Sequence, residues 1–191
     1  MKERTIYLDM DEVISDLAGA ILKLFSRDKS CMIPGEWMIS KWLGILHDRL
    51  WEVIDNEGID FWLNIEPYPW ASELVEKLSL FSRVVIASTP STTSIWSPSG
   101  KMGWLHDFFD DPRFTDYVLI RDKWRLSHGG ALLIDDKPSN IEKFTRRPDG
   151  APSGEAILFP AEWHENPISN PVDFVIEKVR KWEERMDESQ E

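Results

Sequence analysis

Cysteine is nearly absent from this chain. Cys31 stands alone among 191 residues, so no disulfide can form within it, and a reducing compartment suits such a sequence. No nucleophile pattern surrounds Cys31, which reads as a small buried hydrophobe. Cations are also scarce. The 22 Lys and Arg are outnumbered by 34 Asp and Glu, which gives a formal net charge of −12 and an isoelectric point near 4.8. That balance argues against a general nucleic-acid-binding surface. It leaves room for a small phosphorylated ligand, because a bound metal and a few local cations override the global sign. Long apolar runs are missing as well. Met1-Lys2-Glu3-Arg4 lead only into the short run Thr5-Ile6-Tyr7-Leu8, too little for a signal peptide or a membrane span. The cytoplasm is therefore the expected location, with no membrane partner. The four histidines, His47, His106, His128 and His164, show no metal-ligand spacing and receive no role.

What the chain does have is two acidic pairs, each ending an apolar run. Thr5–Leu8 leads into Asp9-Met10-Asp11, and Ala131-Leu132-Leu133-Ile134 leads into Asp135-Asp136. Short apolar runs bounded by polar residues read as buried strands of a parallel sheet. Carboxylates that leave such strands lie at the carboxyl edge, where open α/β sheets hold their sites. A single Asp there can simply cap a helix or open a turn. Two clusters at one edge repel unless a cation lies between them, and Mg²⁺ suits all-oxygen donors.

Between these pairs the chain alternates strands and helices, with one interruption. Leu17, Ile21, Leu24 and Phe25 recur at helical spacing and predict a helix over 14–27. Residues 28–66 lack β-branched runs but hold Trp37, Trp42, Trp51 and Trp62, four of the ten tryptophans. With a helix over 46–56, they read as a small helical insert closed by Pro67 and Pro69. A helix over 70–81, a strand over 83–87 and a mobile Ser/Thr/Pro-rich loop over 91–100 come next. A helix over 101–110 and strands over 117–121 and 131–134 follow. A capping box of Ser139 and Glu142 then opens a short helix. A loop over 146–155 precedes a strand over 156–159. Pro171 sits in the first turn of a last helix running to about 186, followed by a solvated, fraying tail. The expected fold is α/β: a Rossmann-like parallel sheet flanked by helices with right-handed crossovers. Residues 1–27 and 67–191 form its core, and 28–66 the insert.

Each expected strand end contributes something chemical. Asp9 and Asp11 follow the first, Ser88 and Thr89 the second, Arg121 and Lys123 the third, and Asp135 and Asp136 the fourth. Hydroxyl, lysine and carboxylates around Mg²⁺ are the parts needed to handle a phosphoryl group.

In this order the residues resemble the four motifs of haloacid dehalogenase-type phosphatases: Asp9-x-Asp11-x-Val13, Ser88 after an apolar strand, Lys123, and Asp135-Asp136. Further segments resemble the 5′(3′)-deoxyribonucleotidase branch. They are Phe61-Trp62-x-x-Ile65-Glu66-Pro67-x-Pro69, Lys101-Met102-Gly103-Trp104-Leu105, Leu119-Ile120-Arg121-Asp122-Lys123 and Leu132–Asp136. Glu12 departs from that branch, which has Gly there, and Ser88 stands where Thr is common. The resemblance implies a Mg²⁺-dependent hydrolase of (deoxy)ribonucleoside monophosphates, with residues 28–66 as a helical cap. It makes Asp9 the nucleophile that forms an aspartyl-phosphate, and Asp11 the acid and base. It assigns the metal to Asp9, the backbone carbonyl of Asp11, and Asp136, with Asp135 behind them as a partner to Lys123 or to a bound water; the residues alone leave the order of Asp135 and Asp136 open. Ser88, Thr89, Lys101, Arg121 and Lys123 become phosphate contacts, although Lys101 and Arg121 also read as surface cations. Trp62 becomes the contact to the nucleobase, or else packing between cap and core. A small-molecule nucleotide is the implied partner, stable nucleic-acid binding is not expected, and a homodimer is left open.

Other readings exist. A polynucleotide 3′-phosphatase shares the Asp-Asp followed by a basic residue, but the acidic charge disfavours a polymer substrate. A sugar-phosphate phosphatase fits the same core. A receiver-like signalling domain also gathers Asp, Ser/Thr and Lys around Mg²⁺. In such a domain the acidic pair comes first and the lysine last, whereas here Lys123 precedes Asp135-Asp136.

Overall fold

The computed structural model describes residues 4–168 and 170–188. The apolar runs form one five-stranded sheet: β1 (Thr5–Leu8), β2 (Arg83–Ser88), β3 (Tyr117–Leu119), β4 (Ala131–Asp135) and β5 (Glu155–Leu158). All neighbours pair in parallel, in the order β3-β2-β1-β4-β5. The chain thus builds outward from β1 on one side, then returns to build β4 and β5 on the other. The switch point lies between β1 and β4, where a crevice opens at the carboxyl ends. Leu8 pairs with both Ile86 and Ile134, so the residues that follow all three strands emerge at one level. Ile6, Leu8, Ile86, Leu132 and Ile134 are essentially inaccessible, as continuous apolar strands covered on both faces should be.

Helices α1 (Leu17–Leu24), α5 (Ala71–Ser79), α6 (Ser97–Phe108), α7 (Pro138–Thr145) and α8 (Pro171–Glu188) flank the sheet. Between α1 and α5 lie a single 3-10 turn (Lys29–Cys31) and three short helices, α2 (Ile39–Leu43), α3 (His47–Asn56) and α4 (Ile59–Leu63). Trp42, Leu50, Ile54, Phe61 and Trp62 of this stretch join the main apolar core. No helix among the described residues is long and apolar enough to cross a membrane.

Several boundaries differ from the sequence expectation. Helix α1 starts at Leu17 rather than 14, because Asp16 caps it by accepting the Gly19 N–H at 2.8 Å. Helix α6 begins at Ser97, inside the expected loop, with Pro98 in its first turn. Proline is at home there, since that N–H has no helical partner. Strand β3 ends at Leu119, and Lys123 opens a 3-10 turn (Lys123–Leu126). The Ser139–Glu142 capping box does not form: α7 starts at Pro138, and its N-cap, Lys137, makes no side-chain cap bond. The carboxylate of Asp135 receives the Lys137 N–H at 2.9 Å instead. Strand β5 runs one residue earlier than expected, and α8 extends to Glu188, two residues beyond the expected end. Residues 189–191 of the tail lie outside the described residues.

Gly100 explains how α6 seats. A methyl group there would lie 2.2 Å from Cβ of Trp62 on α4, so the two helices approach at a glycine contact. Gly→Ala inside a helix ordinarily stabilises by about 1 kcal/mol. Gly100→Ala should reverse that sign and cost roughly 1–3 kcal/mol through overpacking. The exposed Ser99→Ala should stay within about 0.5 kcal/mol of wild type. Urea unfolding of both variants checks the contrast.

Candidate active site

Asp9 is the first residue beyond β1, its N–H donating to the Ile134 carbonyl at 2.9 Å, and it is only 7% exposed. Its Oδ1 accepts from the Met10 N–H at 2.7 Å and pairs with Lys123 at 2.6 Å. Lys123, itself buried, also pairs with Asp135 at 2.6 Å. Burial pushes the Asp9 carboxyl well above the usual range; Lys123 opposes this, and the charges of Asp135, Asp136 and Asp11 reinforce it. For Lys123, burial favours the neutral amine, but Asp9 and Asp135 outweigh it and hold the ammonium form.

Asp11, two residues after Asp9, lines the same crevice. Its Oδ2 receives Lys101 Nζ at 2.5 Å, and Lys101 also donates to Ser88 Oγ at 2.9 Å. Lys101 is 1% exposed, which removes the surface-cation reading. Ser88 is fully buried beneath it. Thr89 lines the crevice, with its hydroxyl donating to the Ile120 carbonyl at 3.0 Å. Arg121 lines the crevice too, as an exposed cation at its rim. The site residues expected from strand ends therefore come together, with Ser88 behind the wall and Arg121 at the mouth.

The two residues of the second acidic pair have different surroundings. Both oxygens of Asp135 are engaged, by Lys123, the Lys137 N–H, and Asn140 Nδ2 at 3.0 Å to each. Asp136 accepts the Trp163 indole N–H on Oδ2 at 2.7 Å, and its backbone carbonyl lies 2.8 Å from His164 Nε2. Among the described residues, nothing donates to Oδ1 of Asp136 or Oδ2 of Asp9. Burial, then the charge of Asp135, raises the Asp136 carboxyl well above its ordinary value, while the Trp163 bond opposes the rise. One oxygen each from Asp9, Asp135 and Asp136 lies within 4.8 Å of the others. Crowded, buried, oxygen-only donors suit a hard divalent cation; Asp135 is saturated by its donors, which leaves the Asp9 carboxylate and Oδ1 of Asp136 as the groups that could hold it.

Sequence reasoning missed Trp163, His164 and Asn140, and saw Glu12 only as a departure. The signal for the first two was weak: they follow β5, which ends at Leu158, only after an intervening loop. Glu12 adopts φ of +59°, a left-handed conformation that suits Gly and strains other residues. Its side chain compensates, accepting the Ala18 N–H at 2.7 Å and the Tyr68 hydroxyl at 3.0 Å. Burial pushes its pKa up to about 8.

Aromatic residues from the helical insert cover the crevice, which has a volume of about 570 Å³. Trp37, Trp42, Trp51 and Trp62 all line it. Trp62 is 1% exposed and stacks against Trp51, with ring centroids 6.4 Å apart and planes 14° from parallel. Trp51 is the more open of the two, and its indole N–H is directed to His47 Nε2 at 2.9 Å.

A parallel sheet with carboxylates, lysines and a hydroxyl at adjacent strand ends, beneath a helical insert, is the fold of solved haloacid dehalogenase-like hydrolases. Solved structures share the fold. A hydrolase from Streptococcus pneumoniae TIGR4 superposes with a TM-score of 0.53 over 85% of this chain and 95% of its own, at 14% identity. A haloacid dehalogenase-like family hydrolase from Xanthomonas campestris gives 0.50 over 96% and 94%, at 11% identity. More narrowly, residues 3–184 match the family described as 5′ nucleotidase, deoxy (pyrimidine), cytosolic type C, and the chain belongs to it. The mitochondrial 5′(3′)-deoxyribonucleotidase of Mus musculus is 31% identical over 166 residues, covering 81% of this chain and 71% of its own. A Staphylococcus aureus (strain MSSA476) protein that carries the 5′(3′)-deoxyribonucleotidase name provisionally is 29% identical over 190 residues, 96% of this chain and 94% of its own. The chain is a phosphatase of this nucleotidase family.

Lys123 is the buried counter-charge of two carboxylates. Removing one partner of a buried ion pair costs about 3–5 kcal/mol. Lys123→Met should therefore lose stability on that scale in EDTA at pH 7, measured by urea unfolding. A loss below about 1 kcal/mol would mean that the carboxylates neutralise each other by sharing protons instead.

Proposed function

We propose that this phosphatase hydrolyses (deoxy)ribonucleoside monophosphates through an aspartyl-phosphate on Asp9, with Mg²⁺ held by Asp9, the backbone carbonyl of Asp11, and Asp136. The observation that carries this reading is the asymmetry of Asp9. One oxygen is pinned by Lys123 and the Met10 N–H, while the other is unpaired at the crevice. A carboxylate fixed in this way presents one nucleophilic oxygen in one direction. Bound Mg²⁺ would supply neutralisation of charge on the phosphoryl oxygens.

In the first step, Asp9 Oδ2 bonds to phosphorus as the ester P–O bond breaks, and Asp11 gives a proton to the departing oxygen. In the second, Asp11 takes a proton from water as its oxygen bonds to phosphorus and the Asp9–phosphate bond breaks. Asp11 suits both roles because it lies two residues from the nucleophile, faces the same crevice and is more exposed than Asp9. Lys101, Lys123, Thr89 and Arg121 line the crevice and provide the cations and a hydroxyl for the phosphate, and Ser88 behind the wall holds Lys101 in place. Asp135, already saturated, holds Lys123 in place. Residues 28–66 act as the cap over the core formed by 1–27 and 67–191. The size of the crevice suits a mononucleotide, and its tryptophans suit a flat base. With Trp62 covered, the more open Trp51 is its contact face, and Trp62 backs it.

Phosphate release from a panel of nucleoside monophosphates and sugar phosphates tests the reading. Deoxyribonucleotides should be turned over, and activity should vanish with EDTA and in Asp9→Asn. Trp51→Ala should raise KM for the nucleotide by the equivalent of about 1–3 kcal/mol, the scale of base–aromatic stacking, and leave p-nitrophenyl phosphate little changed. Full turnover in Asp9→Asn would remove Asp9 as nucleophile.

Asp11→Asn separates the two aspartates. Loss of leaving-group protonation should slow phosphoenzyme formation from a nucleotide by roughly 10²–10⁴. A p-nitrophenyl ester leaves with little help, so phosphoenzyme should form from it and accumulate, because its hydrolysis still lacks a base. Rapid-quench labelling reads both. Equal slowing with both substrates and no accumulation would make Asp11 structural.

A further inference from the structure

The proposed cation site has a support that comes from outside the strand-end motifs. Asp136 is gripped at two points by one short segment after β5. The Trp163 indole N–H reaches Oδ2 at 2.7 Å in a buried contact, and His164 Nε2 lies 2.8 Å from the backbone carbonyl. An aspartate that ligates through one oxygen can rotate about its terminal bond and lose its aim unless the other oxygen is held. Indole is well suited to holding it. It donates and does not accept, so it cannot compete for the cation. It is also uncharged, so it leaves the carboxylate's charge for the metal, whereas Lys123 partly cancels the charges of Asp9 and Asp135.

The segment that carries this donor is itself tied down. The Trp163 carbonyl accepts the Gly35 N–H at 2.7 Å. The neighbouring Glu162 pairs with Lys29, which also binds Asp16 at 2.9 Å. Both anchors, Lys29 and Gly35, belong to the start of the insert, ahead of its first α-helix, α2. Trp163 is 5% exposed, so water does not readily replace its contact.

We infer that Trp163 is a positioning residue: its indole N–H fixes Asp136 so that Oδ1 is presented to the cation, with His164 steadying the backbone of the same residue. This inference rests on the reading of Asp136 as a metal ligand. Isothermal calorimetry with Mg²⁺ alone, on the full chain stripped with EDTA and exchanged into metal-free buffer, tests it without any nucleotide. Trp163→Phe keeps a ring and removes the donor. Its Kd for Mg²⁺ should rise about 10–100-fold, the usual cost of losing such a support. The Mg²⁺ concentration giving half-maximal phosphate release should rise by a similar factor. A role limited to packing would lower the metal-free melting temperature and leave Kd unmoved, and an unmoved Kd overturns the inference. Should Trp163→Phe fail to fold, His164→Ala, at a half-buried side chain, takes its place. A several-fold rise in its Kd supports the inference, and a wild-type Kd overturns it. If the wild-type chain takes up no Mg²⁺, the metal reading falls and this inference with it. If wild type binds and both variants bind equally well, only the inference falls.

Discussion

The ammonium group of Lys123 sits between Asp9 and Asp135, 2.6 Å from each. Those two carboxylates terminate adjacent central strands, and the parallel register leaves them no way to separate. Without a buried cation, closing β1 against β4 would bring like charges together in a medium that screens them poorly. Lys123 makes the edge of the sheet foldable. It does so incompletely, since Asp11 and Asp136 face the same crevice, and of these two only Asp11 is met by a buried ammonium group, that of Lys101. Burial raises the Asp9 and Asp136 carboxyls, and the neighbouring carboxylates add to the rise. Fold and chemistry thus share one electrostatic problem.

The same constraint explains the division of labour within Asp135-Asp136. Asp135 ends β4 and is held inside the sheet edge, where Lys123, Asn140 and the Lys137 N–H consume both oxygens. It also takes the place of the capping box expected of Ser139 and Glu142, so one carboxylate orients Lys123 and receives the first N–H leading into α7. Asp136, one residue on, turns toward the crevice. The sequence left the order of the two open because neighbouring aspartates look alike until their partners are known. Those partners come from other parts of the chain.

Strand ends were legible for a simple reason. A parallel strand buried on both faces has to be apolar, so a charge marks where it leaves the sheet. Asp9, Ser88 and Asp135-Asp136 were found that way, and Lys123 came into view with them. The onset of α6 was not legible. Ser97, Pro98, Ser99 and Gly100 have the composition of a loop, yet proline fits the first turn and glycine is required by the side chain of Trp62 on α4. Local composition cannot report a close contact with a helix more than thirty residues away. Trp163 and His164 were missed for a related reason: they follow the edge strand in a stretch rich in Pro, Glu and Asn, and only the folded loop brings them under Asp136.

Glu12 shows how far the site's connections reach. A residue that pays for a left-handed backbone immediately after Asp11 needs compensation, and it gets it from two directions. Its carboxyl receives the Ala18 N–H in the first turn of α1 and the Tyr68 hydroxyl from the segment that returns from the insert. The Tyr68 hydroxyl also lies 3.4 Å from Glu162, whose partner Lys29 stands where the chain enters the insert. Both connections of the insert therefore meet in one hydrogen-bonded chain, with Asp11 next to one end and Trp163 next to the other. Glycine at position 12 would relieve the backbone but break that chain at its origin. The side chain is thus more than a tolerated departure from the related branch. It ties the loop bearing the two N-terminal aspartates to the same contacts that anchor the support of Asp136.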